Sequence, residues 1–299
     1  MDHSFQHRIN SAKDFETQGK ILHAIQIYKV LIEEYPDQIE SYINLADVYQ
    51  LIGHKESAEK ILSLIINRQP TNHELSIYYV QFLMQNNEWN RAQDKLSELS
   101  TEDSFVSYLT SYIYFMQNKS EIAKLHFLRF IISDEEPELI HEAYLFLAKI
   151  EFELKQYKSA LKYAKKAEIM YDDFWELYLI YAKIYYSLQM YTHSSESILE
   201  GIKLNPDETQ LYKWAGKIYV KLNNFIKAKK YFEKHIDLKE SITSDDYLYL
   251  ANACFQLGEL KDAINFFDTA IKLDPDNLLA LKGYEKTHNL INKNNASDV

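Results

Sequence analysis

Apolar residues recur along this chain at i, i+3, i+4 and i+7, the spacing that gathers them on one face of a helix, and the runs break at regular intervals. In residues 39–72 the first run carries Tyr42, Leu45, Ala46 and Tyr49. The chain breaks at Gly53, and a second run carries Ala58, Leu62 and Ile65 before Pro70. Residues 244–277 repeat the arrangement with Tyr247, Leu250, Ala251 and Cys254, then Gly258, Ala263, Phe267, Ala270 and Pro275. The signature recurs in 209–242 (Tyr212, Ala215, Gly216, Tyr219, Ala228, Phe232) and in 175–208 (Tyr178, Tyr181, Ala182, Tyr185, Ile198, Gly201, Pro206). It recurs again in 141–174 (Tyr144, Leu147, Ala148, Ala160, Ala167) and 5–38 (Ala12, Phe15, Gly19, Ala24, Tyr28, Leu31, Pro36). Each block predicts two helices joined by a short turn.

One small residue opens every second helix: Ala24, Ala58, Ala92, Ala123, Ala160, Ser194, Ala228 and Ala263. Successive members are 34, 34, 31, 37, 34, 34 and 35 residues apart. The short step and the long one compensate, so three residues are trimmed around Ser100–Ser104 and restored near Ser133–Leu139. The two irregular blocks are therefore 73–103 and 104–140. Small residues such as Ala46, Ala182 or Gly216 let two helix backbones approach closely, and aromatics of the neighbouring block fill the gaps. A single helix pair cannot bury its apolar face alone, so stability comes from stacking neighbours.

Eight copies of an aromatic, Leu, Gly/Ala and Tyr on the first helix, then Ala, an aromatic and Pro on the second, resemble the tetratricopeptide repeat. The resemblance covers nearly the whole chain. It departs from the family in placing Tyr where Trp usually leads, Ser194 in the small-residue ladder, and weak first helices in repeats three and four. It implies an all-α fold, a right-handed superhelical α-solenoid of antiparallel helix pairs. The expected organisation is a single solenoid over 1–292, with a capping helix at 278–292 and a polar, disordered tail at 293–299.

Composition narrows the function. The net charge of −11 disfavours nucleic acid and anionic membrane surfaces, which select cationic proteins. A helical-repeat RNA binder, which has a similar period, is disfavoured on the same ground. The lone Cys254 cannot form an internal disulfide or a multi-thiolate zinc site, and it falls where the family places a core Tyr. His73-Glu74 and His141-Glu142 begin like a zinc helix motif, but Ile77 and Leu145 stand where its second histidine is required. Five of the six glycines occupy repeat positions, which leaves none for a phosphate loop. No catalytic residue, metal or cofactor is expected. The start of the chain lacks a signal-peptide pattern and no run is apolar enough to span a membrane, so a cytoplasmic location is expected.

The resemblance implies a concave groove lined by the second, fifth, ninth, twelfth and thirteenth residues of each repeat, taking a peptide or extended protein segment. Repeat four places Phe105, Tyr108, Tyr112, Phe115 and Met116 there; repeat five Leu145, Lys149 and Phe152; repeat six Leu179, Lys183 and Tyr186; repeat seven Lys213, Lys217 and Lys221. Lys149, Lys183 and Lys217 share one repeat position and should stack into a lysine ladder. Lys213, Lys217 and Lys221 have no acidic partner four residues away on their own helix, so pairing with acids of adjacent repeats is the competing reading. An exposed lysine–carboxylate contact contributes roughly 0.2–1 kcal/mol; burying one ligand Leu or Phe contributes about 1.5–3 kcal/mol. The expected partner is thus an acidic segment with an apolar anchor, the repeat-four aromatics holding the anchor and the lysines setting polarity. The carboxylate clamp of chaperone-binding relatives is not expected: Asn44 sits at its middle position, but Ile9, Glu74 and Tyr78 surround it. The alternative is a regulatory or adaptor subunit that changes shape when it senses a ligand or peptide.

Overall fold

The computed structural model describes residues 3–100, 103–133 and 137–297, and every regular element among them is helical. Contacts divide the chain into two compact units, Met1–His126 and Phe127–Val299. The N-terminal unit holds α1 (His3–Thr17), α2 (Ile21–Glu34), α3 (Ile39–Leu51), α4 (Lys55–Arg68), α5 (His73–Gln85), α6 (Trp89–Leu96), α7 (Ser104–Met116) and the start of α8 (Ser120–Ser133). The C-terminal unit holds α9 (Pro137–Glu153), α10 (Tyr157–Met170), α11 (Trp175–Ser187), α12 (Tyr191–Leu204), α13 (Thr209–Lys221), α14 (Phe225–Leu238), α15 (Ser244–Gln256), α16 (Leu260–Leu273) and α17 (Leu278–Ser297). Helices pair with their chain neighbours, α1 with α2 and α3 with α4 in one unit, α9 with α10 through α15 with α16 in the other. In the C-terminal unit the first helices also touch directly, α9 with α11 and α11 with α13.

All eight small-residue positions are fully buried. Ser194 is tolerated among them because its buried hydroxyl finds a partner, donating to the Ala182 carbonyl at 2.7 Å. Gly216 marks a close approach: a Cβ there would lie 2.3 Å from the Phe232 ring. Tyr stands at the leading aromatic position for a polar reason as well. Tyr42 and Tyr212 donate their hydroxyls to the carbonyls of Pro36 and Pro206, which close the preceding repeats. The aromatic and proline positions of the pattern are thereby one contact.

The turn inside each pair ends in a left-handed residue. Gly19, Gly53 and Gly258 take it, and so do Asn87, Asn118, Lys155, Gln189 and Asn223, one in each repeat. The following N–H then reaches back to the last turn of the first helix, as His54 does to the Tyr49 carbonyl at 2.7 Å and Gln156 to that of Glu151 at 2.8 Å. The irregular centre of the pattern is visible as a short α6 of 8 residues and a long α9 of 17. Pro137 opens α9 ahead of the expected block start at 141, at the helical position where a missing N–H is harmless. Thr101, Glu102 and 134–136 lie outside the described residues. The last helix runs to Ser297 rather than 292, because no Gly or Pro stops it; residues 298 and 299 of the expected tail lie outside the described residues. Cys254 is buried in the core of the C-terminal unit, where burial pushes its thiol up to about 12.

Candidate functional site

The three ladder lysines lie on α9, α11 and α13 of the C-terminal unit, each half-buried. Their ammonium groups rest on aromatic faces. Lys149 Nζ is 4.9 Å from the Phe146 ring centre, Lys183 Nζ 5.5 Å from that of Trp214, and Lys217 Nζ 5.1 Å from Trp214 and 4.7 Å from Tyr249. A cation over a ring face within about 6 Å is attracted by the ring quadrupole. Among the described residues none of the three makes an ion pair. Burial lowers the Lys149 ammonium from its ordinary value, against the pull of Glu176 and Glu142. Burial likewise lowers Lys183, and repulsion from Lys149 and Lys217 on either side adds to it. The middle lysine of the ladder is thus the one that feels its neighbours.

Beside its last rung opens a recess of about 740 Å³, walled by Tyr186, Trp214, Lys217 and Tyr249 and edged by Asn252 and Gln256. Tyr186 meets Trp214 edge to face at 5.5 Å. Trp214 and Tyr249 escaped the sequence reading, which singled out neither. A signal existed: Phe146 and Trp214 stand three residues before Lys149 and Lys217, neighbours on one helical face. Repeat six has Ile180 in that place, and Lys183 uses the Trp214 of the next repeat.

The other expected positions divide. Lys221 is exposed and lines the recess. Phe152 is half-buried and tilts against Tyr157 at 5.7 Å. Leu145 and Leu179 are core residues, 5% and 7% exposed. Lys213 also lies over Tyr249, at 5.4 Å, but its ammonium is bonded to Asp246 of the next repeat at 2.8 Å. Asp246 is a buried hub. It also accepts from Lys239 at 2.5 Å, the Thr243 hydroxyl at 2.7 Å and N–H at 3.0 Å, and faces His235 Nε2 at 3.1 Å. Burial opposes its charge, yet the bonds from Lys213, Lys239 and Thr243 prevail and hold the carboxyl well below the usual carboxylate range. The adjacent-repeat pairing therefore claims Lys213.

Tyr108, Tyr112 and Phe115 belong to the other unit. Tyr108 is buried and stacks on Phe105, while Tyr112 tilts against Trp89 at 6.2 Å. Phe115 is half-buried, and Met116 is exposed. Around Asn44, Ile9 is core and the Tyr78 hydroxyl donates to Asp47. Among the described residues no group of histidine, cysteine or carboxylate side chains could hold a metal ion, and no helix is long and apolar enough to cross a membrane.

Family models for the tetratricopeptide repeat match residues 39–72, 176–208, 209–242 and 244–277. No curated protein matches the chain in sequence. Among solved structures it is similar to the APC/C hetero-tetramer Cut9-Hcn1, with a TM-score of 0.66 and 13% identity over 93% of this chain and 54% of that one. The chain thus spans about half of that protein's length. It is also similar to YrrB, described as a TPR protein with an unusual peptide-binding site, with a TM-score of 0.53 and 18% identity over 65% of this chain and 98% of that one. At such identities the likeness concerns the fold alone. The helix pairs, the buried small-residue ladder, the recurring left-handed turn and these matches agree: the chain carries a tandem array of tetratricopeptide repeats.

Proposed function

We propose that the C-terminal unit binds an extended, acidic protein or peptide segment across the first helices of repeats five to seven, without chemistry of its own. The observation that carries this reading is the ladder itself: three half-buried lysines at one repeat position, against rings and without ion pairs. Unpaired, partly desolvated cations destabilise a fold unless something anionic meets them. The recess at Tyr186, Trp214 and Tyr249 takes the apolar anchor. That role passes to it from Tyr108, Tyr112 and Phe115, which are engaged with their own neighbours. Tetratricopeptide repeats mediate protein–protein contacts in general, and YrrB, similar in fold, has an unusual peptide-binding site of its own.

The test is affinity capture with three baits of equal helicity: wild type, Tyr112→Ala and Lys183→Glu/Lys217→Glu. A partner held by the first two and lost by the third supports the lysine site. Equal capture by all three places binding elsewhere, and loss with Tyr112→Ala alone returns the anchor to repeat four.

A further inference from the structure

We propose that the segment taken by the ladder is a polyproline-II strand with a carboxylate at every third residue and a large apolar side chain beside its last carboxylate. The proposal rests on the groove reading above and specifies its ligand. Successive rungs sit on first helices in direct contact, and packed helices lie about 8–10 Å apart. Lys183 and Lys217 share the Trp214 ring at 5.5 and 5.1 Å, so their ammonium groups lie within about 11 Å of each other. A β-strand fits a helix-to-helix step of about 8–10 Å poorly. Two residues advance about 6.6 Å, and three place the side chain on the opposite face. Polyproline II has three residues per turn and rises about 3.1 Å per residue, so every third side chain returns to one face after about 9.3 Å.

An α-helix with an acid every seventh residue advances about 10.5 Å and also returns to one face. The recess separates the two. A helix satisfies its own backbone, whereas a polyproline-II chain leaves every backbone polar group exposed and seeking partners. Asn223, Asn252 and Gln256 supply side-chain amides at the rim. The Asn252 NH2 already donates to the Leu248 carbonyl at 2.9 Å, which leaves its carbonyl oxygen for a ligand N–H. Grooves walled by aromatic rings suit polyproline II because its stiff, already extended chain loses little entropy on binding, and Tyr186, Trp214 and Tyr249 form such a wall.

The experiment is fluorescence anisotropy with labelled synthetic peptides on the full chain. The matched probe is three Glu-Pro-Pro units followed by Tyr. Its comparators are the same composition with the three Glu contiguous, a helical peptide with Glu at every seventh residue, and an oligouridylate. The matched probe is expected to bind about tenfold more tightly than the contiguous one, and Lys183→Gln should erase that difference. Lys217→Gln checks the result if the first variant folds poorly. Equal affinity of matched and contiguous peptides overturns the spacing; if Lys183→Gln/Lys217→Gln weakens both, the groove reading survives alone. Preference for the helical peptide or the oligouridylate overturns the polyproline-II assignment. Binding of no acidic probe overturns both readings.

Discussion

The ninth residue of each repeat reads differently in the two units. Lys13, Asp47, Gln81 and Tyr112 occupy it in the N-terminal unit; Lys149, Lys183, Lys217 and Asn252 occupy it in the C-terminal unit. In the first, charge is internally settled. Lys13 pairs with Glu40 at 3.2 Å and attracts Asp47, and Asp47 accepts the Tyr78 hydroxyl. In the second, three cations stand in a row against rings, with acids nearby but none in contact. The same fold position thus holds a closed account in one unit and an open one in the other. On the function proposed above, one repeat backbone serves as a scaffold or as a receptor according to which side chains meet across one repeat step.

The largest effect is expected at Asp246. Asp246→Ala leaves Lys213 and Lys239 without their buried anion and should destabilise the C-terminal unit by about 3–5 kcal/mol. Hydrogen exchange should show the loss in α13 to α15, with the N-terminal unit unchanged. Asp246 and Asp47 should also respond oppositely to acid. The Asp246 carboxyl is depressed, so its stabilisation is complete above the unfolded value of about 3.9 and is lost as pH falls through its lower folded value. The Asp47 carboxyl is raised by burial, against the Tyr78 bond. Its unit should therefore gain stability as pH falls from the folded value towards about 3.9. Unit-resolved exchange between pH 7 and 3 that showed one sign for both would dissolve this contrast.

Next in size is ligand binding. Lys183→Glu/Lys217→Glu should weaken an acidic peptide on the order of a hundredfold, whereas Lys13→Glu, at the same repeat position, should leave affinity within about twofold. Titration of both variants with one labelled peptide decides it. Smaller still, Lys183→Met removes a cation that burial and its neighbours disfavour, and should raise the melting temperature by about 1–2 °C while impairing binding. The lowered lysine also gives a sign: folded stability should rise with pH towards the unfolded lysine value of about 10.4 in wild type and lose that component in the variant. An effect of similar size is expected in the turns. Lys155→Gly relieves a left-handed side-chain residue and should stabilise by about 0.5–1 kcal/mol, whereas Gly53→Ala should destabilise by a similar amount.

Much of this was legible because the repeat writes it eight times. Helix pairs follow from the apolar period, and the ladder follows from one position read across Lys149, Lys183 and Lys217. What stayed hidden depends on contacts between repeats. The Asp246–Lys213 pair joins residues on different helices, so a search within one helix for an acid four residues away could not find it. Trp214 stands outside the groove positions that the resemblance names, and its role appears only when Lys183 arrives from the preceding repeat. The turn at Lys155 and Gln189 carries no glycine to announce its left-handed backbone, and the stacked helix pair imposes that geometry regardless.

Trp214 has a consequence for how such a surface changes over time. It serves Lys183 of the preceding repeat and Lys217 of its own, and Lys217 also lies over Tyr249 of the next repeat, so neither of these two rungs is complete within a single repeat. Duplicating, deleting or exchanging one 34-residue block would therefore carry away half of a rung and leave the other half behind. If the ladder binds as proposed, the heritable module of recognition is the junction between two repeats, and selection on ligand choice must preserve neighbours in pairs.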